Sequence, residues 1–489
     1  TDAALKYERL DAESSFERLA YESAAAALER VLELGRERLP ARDRARYAQM
    51  LGECHWSLGD IPRCEKYTLQ AFEDLGHRLP SSALGWLVRI VREAGVQGLH
   101  LAGIGVGTVD DPEQREDLRR MAVASNTLCW RYLFDDNIPY ILALAISAAN
   151  DVERASPMIP LATAHGWLGF NVGALRLHGL AKRYFSQAHE SARVSGDLPS
   201  AVFAILMEGL YQVGFGRFGD VIDGSTRALT MLEGEGDPQN EELHLTMLGN
   251  VAFFLGDFDS SLRHFDRVHE LATQRANALH TAWGLYAKCW VLQARGEFGE
   301  ARTRLVAARD LLHDNADLAS EIITYANLAF NHLQAGLLDE ARADLFECAE
   351  RIFKTKVANY PTAPAYGLAA DVAMDLHRLR PHDTEVEALG RKLVKSTGFL
   401  TLLLPYASCI AQRVRGRQKG ATAAGAALLK RAAASADRIG MRHQAALAWF
   451  ELARVHGQRV PEARQEAQER LSILGCEWRM DALDERVTP

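Results

Sequence analysis

The sequence predicts an all-α solenoid of antiparallel helix hairpins, and three observations predict it. The composition is dominated by Arg, Ala, Leu and Glu, all good helix formers, with only 15 prolines in 489 residues. Four segments align without gaps at a fixed step of 40 residues. No stretch alternates apolar and polar residues between turn signals as a strand does.

The length exceeds what one compact core holds, so several globular domains or one extended array are expected. Hydrophobic content of 48% and charged content of 25% belong to a folded, soluble chain. A net charge of −8 is mild and forces no basic face, so nucleic acid is not an expected partner. The local basic stretch Arg413, Arg415, Arg417 and Lys419 sits among glycines and reads as a solvated loop.

The seven cysteines (54, 64, 129, 289, 348, 409 and 476) are spread singly with no CxxC pair. That spacing argues against both a disulfide framework and a zinc site, and reduced thiols of a cytoplasmic protein are the simple reading. No uninterrupted apolar run reaches about 18 residues, so no membrane span is expected, and the longest, Tyr140–Ala149, reads as buried helix. No charged-then-apolar leader opens the chain, and Thr1 in place of Met suggests an excised or processed piece.

Taken in order, residues 14–36 read as the second helix of a repeat whose first helix is short or missing, as if the array once continued upstream. Between Ala71 and Asp136 the register slips, and Gly103–Gln114 is a loop with helices on either side. The firm register runs from Asp136 to Arg351. Its clearest units are GRFGDVIDGSTRALTML from Gly216, GDFDSSLRHFDRVHELA from Gly256, GEFGEARTRLVAARDLL from Gly296 and GLLDEARADLFECAERI from Gly336. The same step backwards reaches Arg176 and Asp136.

Five residues after the anchor the side chain is usually small (Ala181, Val221, Ser261, Ala301, Ala341), and another small one stands twelve after (Ala148, Ala188, Ala228, Val268, Ala308, Cys348). Seven residues is about two helical turns, so both lie on one face and let two helices approach closely. Phe185, Phe265, Leu305 and Leu345 then fill the space between hairpins. The anchoring glycine ends the first helix, where a left-handed cap costs Gly least. Apolar-periodic stretches upstream of each turn supply that first helix.

Linkers fall at 234–240, 359–365, 380–383 and 415–425. Beyond residue 355 the pattern weakens, although Ala388 keeps the spacing and Ala445–Val455 with Ala463–Leu474 makes a last hairpin. Trp478 and Met480 are expected to fold back and cap the apolar end of the stack. The chain thus divides into partly irregular helical repeats (1–115), a regular array (116–355), and degenerate repeats with a cap (356–489).

These units resemble tetratricopeptide repeats, on Leu248-Gly249, Gly256, Ser261, Phe265 and Val268, on Gly209, Gly216, Val221 and Ala228, and on Leu51-Gly52, Gly59, Cys64 and Ala71. The resemblance implies a right-handed superhelix with a concave binding face. The period departs from the usual one of about 34 residues, which makes each helix longer by nearly a turn. The run from about Arg119 to Leu345, including RRMAVASNTLCWRYLFDDN and LATAHGWLGFNVGALRLHGLAKRYFSQAHESA, resembles the C-terminal repeat region of large bacterial signalling ATPases of the STAND type. That implies an upstream ATPase with a cyclase or kinase domain in the same polypeptide, and a repeat region that senses a partner and restrains catalysis.

No catalytic constellation is present. There is no GxxxxGK[ST] loop, no HExxH, no GxSxG and no calcium loop. Gly103-Ile104-Gly105-Val106-Gly107 lacks both the preceding strand and the spacing of a dinucleotide site and reads as a flexible loop. The histidines are scattered, and Asp135-Asp136 reads as a helix cap. No catalytic, cofactor-binding or metal-ligating residue is therefore expected.

If tetratricopeptide geometry carries over, Leu206, Leu210, Asn250, Phe253, Trp290, Tyr325 and Phe330 face the concave side, together with Thr246, Leu285 and Leu333. Two readings stay open for them: packing within hairpins or against a later turn of the superhelix, and an apolar groove for a protein or peptide partner. Asn250 and Asn327 match places used to hold peptide carboxylates, but in non-adjacent units with Lys288 off the matching position, so such a clamp is not expected. The reading is a non-catalytic protein-interaction and regulatory module. Its alternative is a small-molecule-sensing superhelix of a STAND-type transcriptional regulator.

Overall fold

The computed structural model describes residues 2–134, 137–155, 161–313, 317–355, 359–457 and 460–484. Among them are 24 α-helices, one short 3-10 turn and no strand, so the chain is an all-α helical-repeat solenoid. The N-terminal helices are α1 (Asp2–Glu17) with α2 (Tyr21–Gly35), α3 (Ala41–Ser57) with α4 (Ile61–Asp74), and the single helix α5 (Ala83–Leu101). Next come the hairpins α6 (Pro112–Phe134) with α7 (Ile138–Arg154), α8 (Leu161–Ala174) with α9 (His178–Ser195), and α10 (Leu198–Gly214) with α11 (Phe218–Leu232). The array continues through α12 (Pro238–Leu255) with α13 (Phe258–Gln274), α14 (Ala278–Arg295) with α15 (Phe298–Leu312), and α16 (Leu318–Gln334) with α17 (Leu338–Thr355). The C-terminal set is α18 (Thr362–Leu379) with α19 (Thr384–Leu403), α20 (Ser408–Gln418) with α21 (Ala423–Arg438), α22 (Arg442–His456) with α23 (Glu462–Ile473), and the short α24 (Trp478–Asp484).

The 40-residue register has a backbone cause. Gly216, Gly256, Gly296 and Gly336 all hold φ between 72° and 84°, a left-handed conformation that only glycine adopts without strain. Arg176, one step earlier, adopts φ 64° without that freedom. Its guanidinium donates to the carbonyls of Thr401 and Leu402 at 3.0–3.2 Å, which holds the turn from outside. Asp136, the next anchor back, lies with Asp135 outside the described residues. Helices restart on aspartate caps: Asp197, Asp237, Asp257, Asp317 and Asp383 each accept from the backbone N–H three residues on.

Close approach within hairpins is equally specific. A Cβ on Gly249 of α12 would lie 2.7 Å from the Phe265 ring on α13, and one on Gly169 of α8 would lie 2.6 Å from Phe185 on α9. Gly249→Ala is therefore expected to cost about 1–3 kcal/mol through overpacking, read as a lower urea midpoint. A midpoint equal to that of the wild type would mean that Phe265 swings aside freely.

The superhelix closes on itself at two places. At one, Ser57 O at the α3–α4 turn accepts from Arg275 Nη1 and Asn277 Nδ2, both at 3.1 Å, at the α13–α14 turn. At the other, the C-terminal hairpins lie along the row of turn glycines. Gly216 faces Ile439, Gly256 faces Leu474 and Arg442, and Gly296 faces Trp478, whose Nε1 donates to Ala294 O at 2.8 Å.

Three expectations are corrected. Residues 14–36 are not one helix: α1 ends before a turn in which Leu19 takes φ 60°, and α1 and α2 form a complete hairpin. The Arg413–Arg417 stretch is not a solvated loop. It forms α20, whose Gly416 packs where a Cβ would meet Leu429 at 2.8 Å, and Arg413 is 4% exposed beside Asp371. Trp478 does not cap the end of the stack but docks edge-on against Phe298, 5.0 Å away in the middle of the array. The register slip before residue 136 reflects α5, which packs on α7 without a hairpin partner. That helix is turned inside out. Leu84, Leu87, Val88 and Val91 are exposed, while Glu93, Gln97 and His100 are buried against Asn150 and Glu153.

Candidate functional site

Closure converts the concave face into a central cavity of about 1350 Å³, its open mouth included. The walls come from α6 (Trp130, Phe134), α10 (Leu206, Leu210), α12 (Met247, Asn250) and α14 (Trp283, Trp290). Tyr360, Leu403 and Leu404, from the segments flanking α18 and α19, cover it. Helix periodicity explains the convergence: Trp283 and Trp290 are two turns apart on one helix face, and Leu206 with Leu210 on α10 and Met247 with Asn250 on α12 are one turn apart.

Polar groups in this apolar space are few and placed. Asn250 Nδ2 donates to Thr246 O at 2.7 Å and to the Tyr360 hydroxyl at 3.3 Å, which ties the inner wall to its cover. Asn250 Oδ1 and Thr246 Oγ1 are buried without a hydrogen-bond partner. Asp317, 1% exposed, accepts from Ser320 N at 3.1 Å and from Trp283 Nε1 at 3.3 Å. Burial nevertheless pushes its carboxyl up to about 6, although the bonds from Ser320 and Trp283 oppose the shift.

Of the residues expected on the concave face, Leu206, Leu210, Asn250 and Trp290 line the central cavity. Phe253 and Phe330 line a second cavity, separated from the first by Trp290, which faces both. Tyr325 lines neither, and the Arg351 guanidinium covers its ring at 4.4 Å. Sequence reasoning missed Trp130, Phe134, Trp283, Tyr360, Leu403 and Leu404. Two of them carried a signal: Trp283 in its seven-residue spacing from Trp290, and Trp130 in the 40-residue step that runs back from Trp290 through Asn250 and Leu210. Tyr360, Leu403 and Leu404 arrive from segments outside the regular units.

The described residues hold no cluster of three metal-donor side chains. All seven cysteines are free and buried, and burial pushes the thiols of Cys64, Cys289, Cys348 and Cys409 up to about 12, away from thiolate reactivity. No described helix is long and apolar enough to cross a membrane.

No known protein family matches the sequence, and no curated protein does. Among solved structures similar to it is a Rap protein complexed with competence and sporulation factor, at 11% identity and a TM-score of 0.45, covering 88% of this chain and 99% of that one. Another is the APC/C hetero-tetramer Cut9–Hcn1, at 15% identity and a TM-score of 0.40, covering 96% of each chain. Each of these is a likeness in fold.

Proposed function

We propose that this chain is a non-catalytic binding and regulatory module that takes an apolar segment of a protein or peptide partner into its central cavity. One observation carries the reading: an aromatic and aliphatic cavity in which Asn250 Oδ1 and Thr246 Oγ1 stand unpaired. A buried acceptor without a donor is costly, and a backbone N–H of an extended partner supplies that donor while its side chains fill the apolar space.

The cover formed by Tyr360, Leu403 and Leu404 adds the regulatory part. An occupant that fits one degree of closure better than another shifts the superhelix between them by its difference in affinity. Placement in a larger cytoplasmic bacterial signalling protein, with an ATPase, cyclase or kinase domain upstream, is supported by the sequence resemblance and the unpaired cysteines. The enclosure of the cavity favours a second reading, a small apolar ligand held in the same space.

Leu210 is half-buried in the wall and tolerates a test. A Leu210→Arg variant that keeps the wild-type melting curve is expected to lose at least tenfold in affinity for any partner captured by the wild type. Undiminished binding by the folded variant sinks the proposal. Release of a stoichiometric organic molecule on denaturing the purified protein decides for the second reading.

A further inference from the structure

The second cavity, of about 1100 Å³ with its mouth included, differs in chemistry from the first. Four arginines (Arg413, Arg417, Arg454 and Arg479) and three carboxylates (Asp371, Asp375 and Glu451) line it. The first three arginines are matched. Arg413 pairs with Asp371 at 2.6 Å, Arg417 with Asp371 at 2.9 Å and Asp375 at 2.6 Å, and Arg454 with Glu451 at 2.5 Å.

Arg479 is the charge left over. Among the described residues no carboxylate pairs with it, and its Nε is buried without a partner. Two rings hold the guanidinium, Trp478 at 4.6 Å and Phe330 at 5.7 Å. Beside it His443, 8% exposed, lines the cavity with neither ring nitrogen hydrogen-bonded. Burial pushes that imidazole down to about 3, so it is neutral and offers one donor and one acceptor. The lining also includes apolar Phe253, Trp290 and Leu368, with the Phe253 ring 5.6 Å from that of His443, and the side-chain amides of Gln293, Asn327 and Gln334.

A partly buried guanidinium with no carboxylate in pairing distance among the described residues, only the longer-range charges of Asp371 and Glu451, is an arrangement that an anion relieves, and a guanidinium suits a planar carboxylate. We propose that this second cavity is a binding site for an organic acid: a carboxylate on Arg479, a hydrogen bond to His443, and an aromatic or branched apolar body against Trp290 and Phe253. A free small acid and the C-terminal end of a peptide share this chemistry. Because Trp290 is the wall between the two cavities, an acid bound here touches a residue that also shapes the central cavity.

The test uses the intact chain with four probes: indole-3-acetate, its neutral amide, and the tripeptide acetyl-Ala-Ala-Leu as free acid and as amide. Binding is read by quenching of tryptophan fluorescence and by thermal shift. The expected result is saturable binding of at least one acid with neither amide matching it, and at least a tenfold loss of that binding in Arg479→Gln. Preference for indole-3-acetate supports a free acid as the natural source, and preference for the tripeptide supports a chain end.

Removing an unpaired charge should not unfold the protein, so Arg479→Gln without ligand is expected to melt at or above the wild-type temperature. Arg479→Lys, which keeps the charge but not the planar fork, is expected to fall between the two in affinity. Equal binding of acid and amide, absence of binding by both acids, or undiminished binding by Arg479→Gln overturns the proposal. A sharp drop in the melting temperature of unliganded Arg479→Gln also overturns it, because that marks a merely structural guanidinium.

Discussion

Replacing Glu242 with leucine is expected to cost about 3–5 kcal/mol of stability, the usual penalty for breaking a buried ion pair from one side. The Glu242 side chain is fully buried, accepts from Arg275 Nε and Nη2 at 2.8 Å each, and meets His280 Nδ1 at 2.6 Å. Leucine leaves a partly buried guanidinium and a buried imidazole without their acceptor. Arg275 also holds Ser57 O, so the loss spreads to the contact between the N-terminal hairpins and the middle of the array.

The pH dependence has a definite sign. Burial alone raises the Glu242 carboxyl, but hydrogen bonds from His280 and Arg275 outweigh it and hold the group below its ordinary value. A carboxylate depressed in the folded state contributes stability above the unfolded pKa of about 4.3 and loses it as pH falls through the folded value. The gap between wild type and Glu242→Leu in urea unfolding is therefore widest near neutrality and narrows in acid. A gap under about 0.5 kcal/mol at neutral pH, within the range of ordinary surface substitutions, contradicts the role assigned to the pair.

Gly256→Val is expected to cost about 2–5 kcal/mol, and Gly336→Val distinctly less. Both glycines share nearly the same left-handed φ, 77° and 74°, so backbone strain on a β-branched residue is common to the two variants. Their surroundings differ. A Cβ on Gly256 would lie 2.6 Å from Leu474 and 3.2 Å from Arg442, whereas one on Gly336 meets nothing within 4 Å. The difference between the two variants isolates the docking of the C-terminal hairpins. Gly256→Val should also loosen Trp478, seen as a red shift in tryptophan emission that Gly336→Val lacks. Equal losses in both variants would show that only the backbone matters there.

How legible the fold was depended on the distance over which its contacts act. The middle hairpins were readable because each close approach joins residues a dozen or so apart, such as Gly249 with Phe265, and leaves a mark at fixed spacing. The register survived at Arg176 without glycine because its side chain is held by carbonyls more than 200 residues away, which spacing cannot record. The turn at Leu19 carries neither Gly nor Pro, so two helices looked like one. The glycines around α20 had the opposite effect, making a buried helix look like a loop.

The site was half legible for the same reason. Leu206, Leu210, Asn250 and Trp290 follow from helix periodicity, since one face of α10, α12 and α14 must point inward. The cover residues Tyr360, Leu403 and Leu404 have no local signature, because their place depends on how far the superhelix turns before it meets itself. The charge excess at Arg479 was hidden in the same way, its neighbours coming from helices spread over more than 200 residues of sequence.

The hydrogen bond from Trp478 to Ala294 spans 184 residues, and that from Asn277 to Ser57 spans 220. In an open solenoid every unit touches only its neighbours, so folding can start anywhere and spread, and end units can be trimmed away. Contacts of such long range change the kinetics. The chain must search a large loop before they form, which slows the last step of folding, and once formed they tie the two ends to one central stretch. Unfolding of this molecule is then expected to begin as an opening of the ring, followed by loss of the hairpins behind it, and a deletion at either end is felt in the middle.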